Sequence, residues 1–217
     1  MAEEETLGPL PAGRHGFSRE QVIHNQRERL IAGLAAAVAE KGYRAVTITD
    51  VTKQARVSRR VFYENFAGRE ECFLAAFEVV VGHIQDLATE AVAGADDWPR
   101  RAIAAARCVL TFFAEEPDLA RLCLVESQAA GPAVSARFHE AVHEVVPYLE
   151  QGRTLRSGER ELPPTTEEST IGALVMLASR KVAAGEAESL GDLLPEFAEF
   201  ILSPYLGAGE AARLARS

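Results

Sequence analysis

The sequence has few of the residues that mark secreted, redox-active or membrane-spanning proteins. Only three of its 217 residues are cysteines (Cys72, Cys108 and Cys123), they are far apart, and no Cys-x-x-Cys pair occurs. This pattern excludes a disulfide framework and predicts buried thiols in a reducing compartment, with a redox-sensing thiol as the alternative. The longest uncharged apolar run, residues 30–39, has ten residues and is too short to span a bilayer. Residues 1–17 are acidic and lack the apolar core of a signal peptide, so we expect a disordered arm on a cytoplasmic protein that does not enter a membrane.

The charge is unevenly distributed along the chain. The net charge of the whole chain is −9, which argues against binding to a polyanion such as nucleic acid. However, residues 14–69 carry 11 Lys and Arg against 5 Asp and Glu, a net charge of +6, whereas residues 70–217 carry 12 bases against 24 acids, a net charge of −12. A small basic segment therefore precedes a large acidic one, and only the basic segment suits a nucleic acid.

Helical periodicity dominates the sequence, and no strand-like alternation or internal repeat is sustained. Ser18 and Gln21 have the spacing of a capping box, and a second box begins at Thr165. Thr47 and Ser58 can each cap a short helix. The sequence predicts an all-α fold of nine helices. Two of them are short and begin after Thr47 and Ser58. The other seven are predicted at 18–41, 70–93, 97–115, 118–126, 132–151, 166–184 and 191–202.

The first three predicted helices form a unit in which a tight turn joins the two short helices. This arrangement places the third helix in the major groove of DNA in helix-turn-helix proteins. Arg59 and Arg60 would begin that helix, where guanidinium groups can meet phosphates or guanine edges. In isolation such an arginine pair is more commonly a solvated helix face, so its interpretation depends on the surrounding residues.

The residues around this pair resemble the helix-turn-helix of the TetR family of bacterial transcriptional repressors. The Gly42-Tyr43 pair stands where that family ends its first helix, and the match extends over residues 23–77. No single residue of this match is specific to the family, but the combination of the matching residues is. The residues in register with the family pattern are Thr47, Ile48, Val51, Ala55, Val57, Ser58, Phe62, Tyr63, Phe66, Glu70 and Phe73.

The resemblance implies a role for individual residues of the basic segment. Thr47 and Tyr63 correspond to phosphate-binding residues, and Arg69 preserves the charge of a common phosphate-binding lysine. Asn65 replaces a frequent His or Tyr, and Arg56 replaces the usual turn glycine, so that either Arg56 is left-handed at some cost or the turn differs. We expect DNA contacts from Thr47, Thr49, Ser58, Arg59, Arg60, Val61, Tyr63, Asn65 and Arg69, with Arg59, Arg60 and Val61 reading bases.

The resemblance also implies how the acidic segment works. We expect residues 18–69 to form the DNA-binding domain and residues 70–217 a six-helix domain that binds a small effector and dimerises through residues 166–184 and 191–206. The dimer would repress transcription from a roughly palindromic operator until the effector releases it, without a cofactor or enzymatic activity. Aromatic residues at helical spacing more commonly just pack in a core than line a pocket. The candidate pocket residues are Phe77, Val81, Trp98, Phe112, Phe113, Leu122, Glu126, Phe138 and Val142, with His83 and Gln128 as further polar anchors.

A second motif points to a different chemistry. Residues 139–143 read His-Glu-Ala-Val-His, the H-E-x-x-H pattern in which two histidines one turn apart bind zinc and the glutamate activates water. No histidine follows His143, so Glu150, Glu167 or Glu168 would have to supply a third ligand without a motif. We therefore expect two partly exposed histidines on an amphipathic helix and no metal site. An effector-metal or adventitious metal site and a zinc-dependent hydrolase are the alternatives. A helical adaptor that does not bind DNA is the third interpretation.

Overall fold

The computed structural model describes residues 18–156 and 161–216, and every regular element within those ranges is helical. This confirms the all-α fold, while the expected disordered arm, residues 1–17, lies outside the described ranges. Eleven α-helices follow one another: α1 Arg19–Lys41, α2 Ile48–Ala55, α3 Arg59–Asn65, α4 Arg69–Ala93, α5 Trp98–Glu115, α6 Pro117–Leu124, α7 Pro132–His143, α8 Val146–Glu150, α9 Thr166–Ala183, α10 Leu194–Leu206 and α11 Ala208–Leu214. Short 3-10 helices occupy Glu126–Ala129, Gln151–Leu155 and Ala187–Leu193.

Local capping sets the beginnings of the N-terminal helices. Ser18 and Gln21 form the predicted capping box of α1, because each side chain accepts a hydrogen bond from the backbone of the other. Thr47 and Ser58 cap α2 and α3, as predicted. The box predicted at Thr165 is wrong, since this residue makes no side-chain capping bond and α9 begins without one.

The helices α1, α2 and α3 enclose the first part of the hydrophobic core. Leu30, Leu34, Val51 and Phe62 are fully buried among these helices, and the same cluster continues along α4 with Phe73. Because the core is continuous, α4 packs against both the basic and the acidic segments. The boundary between residues 69 and 70 stays a prediction.

Helix α4 also passes a composition test for membrane spans. It is 25 residues long with a mean hydropathy of 1.3 over its most apolar window, and it is the one described helix that passes. A single helix of this kind is weak evidence for a membrane span, because core helices of soluble proteins pass the same test. Cys72, Phe73, Ala76, Phe77 and Val80 of α4 are buried inside the protein.

The helices of the acidic segment differ from the prediction in three places. From α4 onward, the described residues (69–156 and 161–216) form eight α-helices instead of six. The predicted helix 132–151 is divided into α7 and α8, because Pro147 cannot donate the backbone hydrogen bond that would continue α7. Residues 191–193 belong to a 3-10 helix, and α10 begins one residue before Pro195. A further helix, α11, follows Gly207, whose φ of 81° ends α10.

Candidate nucleic-acid interface

The turn between α2 and α3 depends on a left-handed residue that is not glycine. Arg56 has φ 52° and ψ 46°, so the first of the two alternatives for this position is the one observed. The buried guanidinium of Arg29 on α1 donates hydrogen bonds to the carbonyl oxygens of Ala55 and Arg56, the latter at 2.8 Å. These bonds satisfy carbonyl groups at the end of α2 and fix the direction in which α3 leaves the turn.

Helix α3 presents a basic and aromatic face to solvent. Arg59 and Arg60 are both exposed, and no hydrogen bond or ion pair within the described ranges holds the guanidinium of Arg59. The Nε atom of Arg60 donates to Glu64 Oε1 at 2.8 Å, one helical turn away. Tyr63 is 53% exposed, and its ring packs edge-on against Phe62 with 5.6 Å between ring centroids. The free charge and the phenol hydroxyl therefore lie on the same exposed helix.

Beside α3, a basic cleft opens at the beginning of α2. Its volume is about 360 Å³, and it combines three arginines with the first two backbone N–H groups of α2, which have no acceptor inside their own helix. The helix dipole adds positive potential at the same point. The cleft has the donors and the charge that a phosphate group requires. Its lining residues are Arg44, Ala45, Val46, Thr47, Ile48, Thr49, Arg59 and Arg69.

Thr47 lies in the cleft, but its hydroxyl group already serves the capping box. It accepts from the backbone N–H of Asp50 at 3.2 Å and donates to Asp50 Oδ2 at 2.7 Å. Asp50 is also paired with Lys41 at 2.6 Å, and hydrogen bonds from Lys41 and then Thr47 hold the pKa of its carboxyl group well below the usual range. Thr47 can donate to a phosphate only if its hydroxyl proton leaves Asp50.

The remaining predicted DNA contacts are divided between exposed and internally bonded groups. Thr49 and Ser58 are exposed, whereas Val61 is half-buried and packs against the core. The side-chain amide of Asn65 donates to the carbonyl of Val61 at 2.8 Å, so this part of its hydrogen-bonding capacity is used within α3. Arg69 donates to the carbonyl oxygens of Tyr43, at 3.0 Å, and of Val46. Arg69 therefore orders the loop before α2 and also lines the basic cleft.

Sequence reasoning missed Arg44 and Arg29. Arg44 lines the basic cleft and is exposed, and its position three residues before the capping threonine was an available signal. Arg29 is 8% exposed and is held by carbonyl groups 26 and 27 residues further along the chain. A partnership over that distance has no local sequence signal.

Most of the candidate pocket residues come together in the acidic domain. Phe77 and Phe138 are 6.3 Å apart between ring centroids, and Phe112 and Phe113 are 5.4 Å apart. We call these four residues the aromatic cluster. They belong to the main core cluster together with buried Leu122, and Val81 and Val142 pack against that core. The His83 ring is 5.5 Å from that of Phe112, whereas Gln128 is exposed.

Two candidate pocket residues lie elsewhere. Trp98 packs edge-on against Tyr205 at 4.9 Å and donates from its indole N–H to the carbonyl of Tyr148, in a second cluster. Glu126 is buried and accepts a hydrogen bond from the backbone N–H of Tyr43 in the basic domain. The structure therefore does not bring these two side chains into the aromatic cluster.

The H-E-x-x-H motif lies on an exposed part of α7. His139 and His143 are both exposed, and the Nδ1 atom of His143 is 3.5 Å from Glu168 Oε1 on α9. Across residues 18–156 and 161–216, no group of three or more His, Cys, Asp or Glu side chains is placed to hold a metal ion. Of the two histidines, His143 thus lies near one carboxylate, which is not a complete set of zinc ligands.

The predicted dimer helices expose large apolar side chains. Met176 on α9 is 66% exposed, and Phe200 on α10 is 50% exposed. A cleft of about 310 Å³ beside Phe200 is lined also by Glu196, Glu199 and Ser203. Exposed apolar groups at neighbouring elements are typical of interaction surfaces.

Comparison with known proteins connects this geometry to a family. The sequence model of the bacterial regulatory proteins of the TetR family matches residues 30–76, which include most of α1, all of α2 and α3, and the beginning of α4. Comparison with curated protein sequences found no significant match.

Several solved structures of bacterial regulators share the fold of most of the chain. The fatty acid degradation regulator FadR from Bacillus halodurans has a TM-score of 0.72 and 17% sequence identity, over 82% of this chain and 94% of that one. FadR from Bacillus subtilis, solved in complex with stearoyl-CoA, has a TM-score of 0.67 and 16% identity, over 83% of this chain and 98% of that one. A TetR family transcription regulator from Marinobacter aquaeolei has a TM-score of 0.61 and 18% identity, over 81% of this chain and 96% of that one. The helix-turn-helix region of this chain is thus matched by the TetR family model, and the fold around it is similar to that of solved TetR-type regulators.

Proposed function

We propose that the protein is a cytoplasmic transcriptional repressor without enzymatic activity, which binds a roughly palindromic operator as a homodimer and leaves it when a small molecule binds. The observation that carries this proposal is the combination of the basic cleft with the exposed face of α3. Arg44, Arg59 and Arg69 meet the N-terminus of α2 in that cleft, next to the helix that would enter the major groove.

In the proposed complex, the cleft binds a phosphate on one side of the groove and α3 contacts bases. Arg59 has an exposed, unpaired guanidinium within the described ranges, so it can reach a guanine edge or a phosphate without first breaking an ion pair. The exposed hydroxyl of Tyr63 serves as a phosphate donor. The acidic domain repels DNA and so favours the orientation in which the basic domain faces the duplex.

The second copy would pack on the exposed faces of α9 and α10. A two-fold interface brings the same surface from each copy together, and burial of Met176 and Phe200 removes their apolar surface from water. The small residue Gly172 lies on the same helix as Met176, and a Cβ atom at Gly172 would meet nothing within 4 Å in the single chain. A two-fold dimer explains why the operator would be palindromic.

The proposed effector is an apolar molecule that enters the aromatic cluster of the acidic domain. Phe77, Phe112, Phe113 and Phe138 offer a large apolar surface between α4, α5 and α7. A neighbour of the same fold, FadR from Bacillus subtilis, is solved with stearoyl-CoA, and a fatty acyl chain suits such a surface. Because these side chains are buried, an effector must separate them, and this favours a conformation with a different arrangement of α4.

DNA binding can be measured by fluorescence anisotropy with duplexes from the region upstream of the protein's own gene, at several salt concentrations. We expect steep salt dependence and a loss of about tenfold or more in affinity for Arg59→Ala and for Tyr63→Phe. Arg107→Ala is the matched control, because Arg107 is an exposed arginine on α5 of the acidic domain. Salt-independent binding, or equal losses for Arg59 and Arg107, would contradict the proposal.

Dimerisation can be measured by analytical ultracentrifugation. Phe200→Glu places a charge in the proposed interface and should give a monomer, whereas Val79→Glu, at an equally exposed apolar position on α4, should leave a dimer. A monomeric wild-type protein at micromolar concentration would exclude the proposed interface.

Stearoyl-CoA is the first effector probe, and release of bound DNA is the expected result.

A further inference from the structure

A short segment of the acidic domain makes one hydrogen bond to the end of the first helix of the basic domain and another to the first turn of α4. We call residues 126–133 the coupling segment; it includes the 3-10 helix Glu126–Ala129 and the beginning of α7. One contact is made by Glu126, from the coupling segment to the end of α1. The other is made by Glu70, from the first turn of α4 to the beginning of α7.

The contact of Glu126 is buried and is made to the backbone. Its Oε2 atom accepts a hydrogen bond from the N–H group of Tyr43 at 2.9 Å, and its Oε1 atom is 3.0 Å from Nη2 of Arg121. Gly42, with φ 72°, ends α1 directly beside this carboxylate, and a Cβ atom there would be 3.4 Å from Oε1. A buried carboxylate that lost these partners would be left with an unmet charge, so the contact is held strongly.

Tyr43 lies directly behind the basic cleft. Its carbonyl oxygen accepts from Arg69, whose guanidinium also lies 4.9 Å from the centre of the Tyr43 ring. The ring packs edge-on against Phe73 of α4 at 5.2 Å. The next residue, Arg44, is the first of the residues that line the cleft. A displacement of the Tyr43 backbone would therefore displace the cleft.

The contact of Glu70 holds the other end of the coupling segment. Its Oε1 atom accepts from the backbone N–H of Ala133 at 2.9 Å, in the first turn of α7. Gly131 makes this approach possible, because its φ is 128° and a Cβ atom there would be 2.4 Å from the Glu70 carboxyl group. Glu70 follows Arg69 in sequence, and Arg69 bonds to carbonyl groups of the loop before α2.

Helix α6 connects this segment to the aromatic cluster. Leu122 on α6 is fully buried in the main core cluster that also contains the four aromatic rings, and it lies four residues, about one helical turn, before Glu126. A change in the packing around Leu122 is therefore transmitted over a short, hydrogen-bonded stretch of chain.

We propose that Glu126 is a positioning residue which couples the packing of the aromatic cluster to the geometry of the basic cleft through the N–H group of Tyr43. Its effect on DNA affinity depends on the proposed function, but the coupling itself does not. When α6 moves, Glu126 moves with it, and the loop that begins at Tyr43 follows or loses its hydrogen bond. The loop then no longer presents Arg44 and the beginning of α2 as one surface.

Hydrogen exchange of the full-length protein tests the coupling without DNA or effector. In Glu126→Ala the amide of Tyr43 should exchange about tenfold faster than in the wild type, because it loses its buried acceptor. Leu122→Ala should also accelerate exchange in residues 43–49, but it should add little in the Glu126→Ala background. If Leu122→Ala is too unstable, Leu122→Val makes a smaller change at the same position. Leu149→Ala, in the second core cluster, is the control that lowers stability without this route and should leave these amides unchanged.

Unchanged Tyr43 exchange in Glu126→Ala would overturn the proposal, and so would an equal effect of Leu122→Ala in both backgrounds.

The DNA measurement is separate: Glu126→Ala should weaken duplex binding about fivefold, by disordering the cleft. If the wild type binds no DNA, the proposed function fails while the exchange result still decides the coupling. If the wild type binds DNA and Glu126→Ala binds it equally well, the coupling to the cleft is wrong.

Discussion

The guanidinium of Arg29 donates a 2.8 Å hydrogen bond to the backbone carbonyl of Arg56, the left-handed residue that turns the chain between α2 and α3. Both side chains are cationic, and burial first and the charge of Arg56 second lower the pKa of Arg29. The turn thus combines a strained backbone with a repulsive pair of charges, and the hydrogen bonds from Arg29 offset both.

Replacing Arg56 by glycine should stabilise the protein. Glycine adopts the left-handed conformation without the steric cost of about 1–2 kcal/mol, although it loses about 0.5–1 kcal/mol more backbone entropy on folding. We therefore expect the free energy of unfolding, measured by urea titration, to rise by about 0.5–1 kcal/mol. Arg56→Ala removes the charge but keeps the strain, so a gain in the alanine variant equal to that in the glycine variant would contradict the argument.

Two helical glycines should respond in opposite ways to alanine. A Cβ atom at Gly33 on α1 would be 2.8 Å from the backbone nitrogen of Ala55 and 2.9 Å from the carbonyl oxygen of Val51, so α2 must move away. We expect Gly33→Ala to lower the free energy of unfolding by about 1–3 kcal/mol and to weaken DNA binding, because α2 carries part of the basic cleft. A Cβ atom at Gly82 on α4 meets nothing within 4 Å, so Gly82→Ala should add about 1 kcal/mol. Thermal unfolding of both variants checks the pair, and a stable Gly33→Ala would contradict the close approach of α1 and α2.

The parts of the fold that could be predicted from the sequence are those set by local contacts. Thr47 and Ser58 bond to backbone groups three residues away, so their caps were readable from sequence spacing. The division of α7 from α8 had a local cause as well, in the ring of Pro147, and the prediction overlooked it.

Partners far apart in sequence could not be predicted. Glu126 has the chemistry of a ligand anchor, but its acceptor role is satisfied by Tyr43, 83 residues earlier. Trp98 has the size of a pocket residue, but it packs against Tyr205 instead of the aromatic cluster. In both cases the residue type was consistent with the prediction, and tertiary packing decided which partner it met.

Removal of the Glu64 charge should strengthen DNA binding. Glu64 holds the Nε atom of Arg60 at 2.8 Å on the exposed face of α3, and it places a negative charge where phosphates are expected. Glu64→Gln should raise duplex affinity about two- to fivefold at low salt, and the gain should shrink as salt screens the charges. Glu90→Gln changes the same formal charge on an exposed residue near the other end of α4. An equal gain in both variants would assign the effect to net charge and contradict a local role of Glu64.

Glu167 is fully buried at the beginning of α9 and carries three strong hydrogen bonds. Arg153 donates to its carboxylate at 2.9 Å and 2.6 Å, and the hydroxyl of Tyr205 donates at 2.8 Å. Burial is the largest single influence and raises the pKa of Glu167, but the bonds from Arg153 and Tyr205 together outweigh it and leave the pKa below the ordinary value. Burial and the Glu167 carboxylate raise the pKa of Tyr205, which keeps its hydroxyl protonated as the donor.

The stability of the acidic domain should therefore fall when Glu167 is protonated. A carboxyl group whose pKa is lower in the folded than in the unfolded state stabilises the fold above the unfolded pKa, about 4.3, and this contribution is lost as the pH falls below it. We expect urea unfolding between pH 6 and pH 3 to show a decreasing free energy of unfolding in the wild type. Glu167→Gln should be less stable at pH 6 by about 2 kcal/mol, because Arg153 loses its partner, and its stability should depend less on pH over this range. Glu188→Gln, at an exposed glutamate of the same domain, should keep the wild-type dependence, and a Glu167→Gln variant with that same dependence would show that another group controls acid stability.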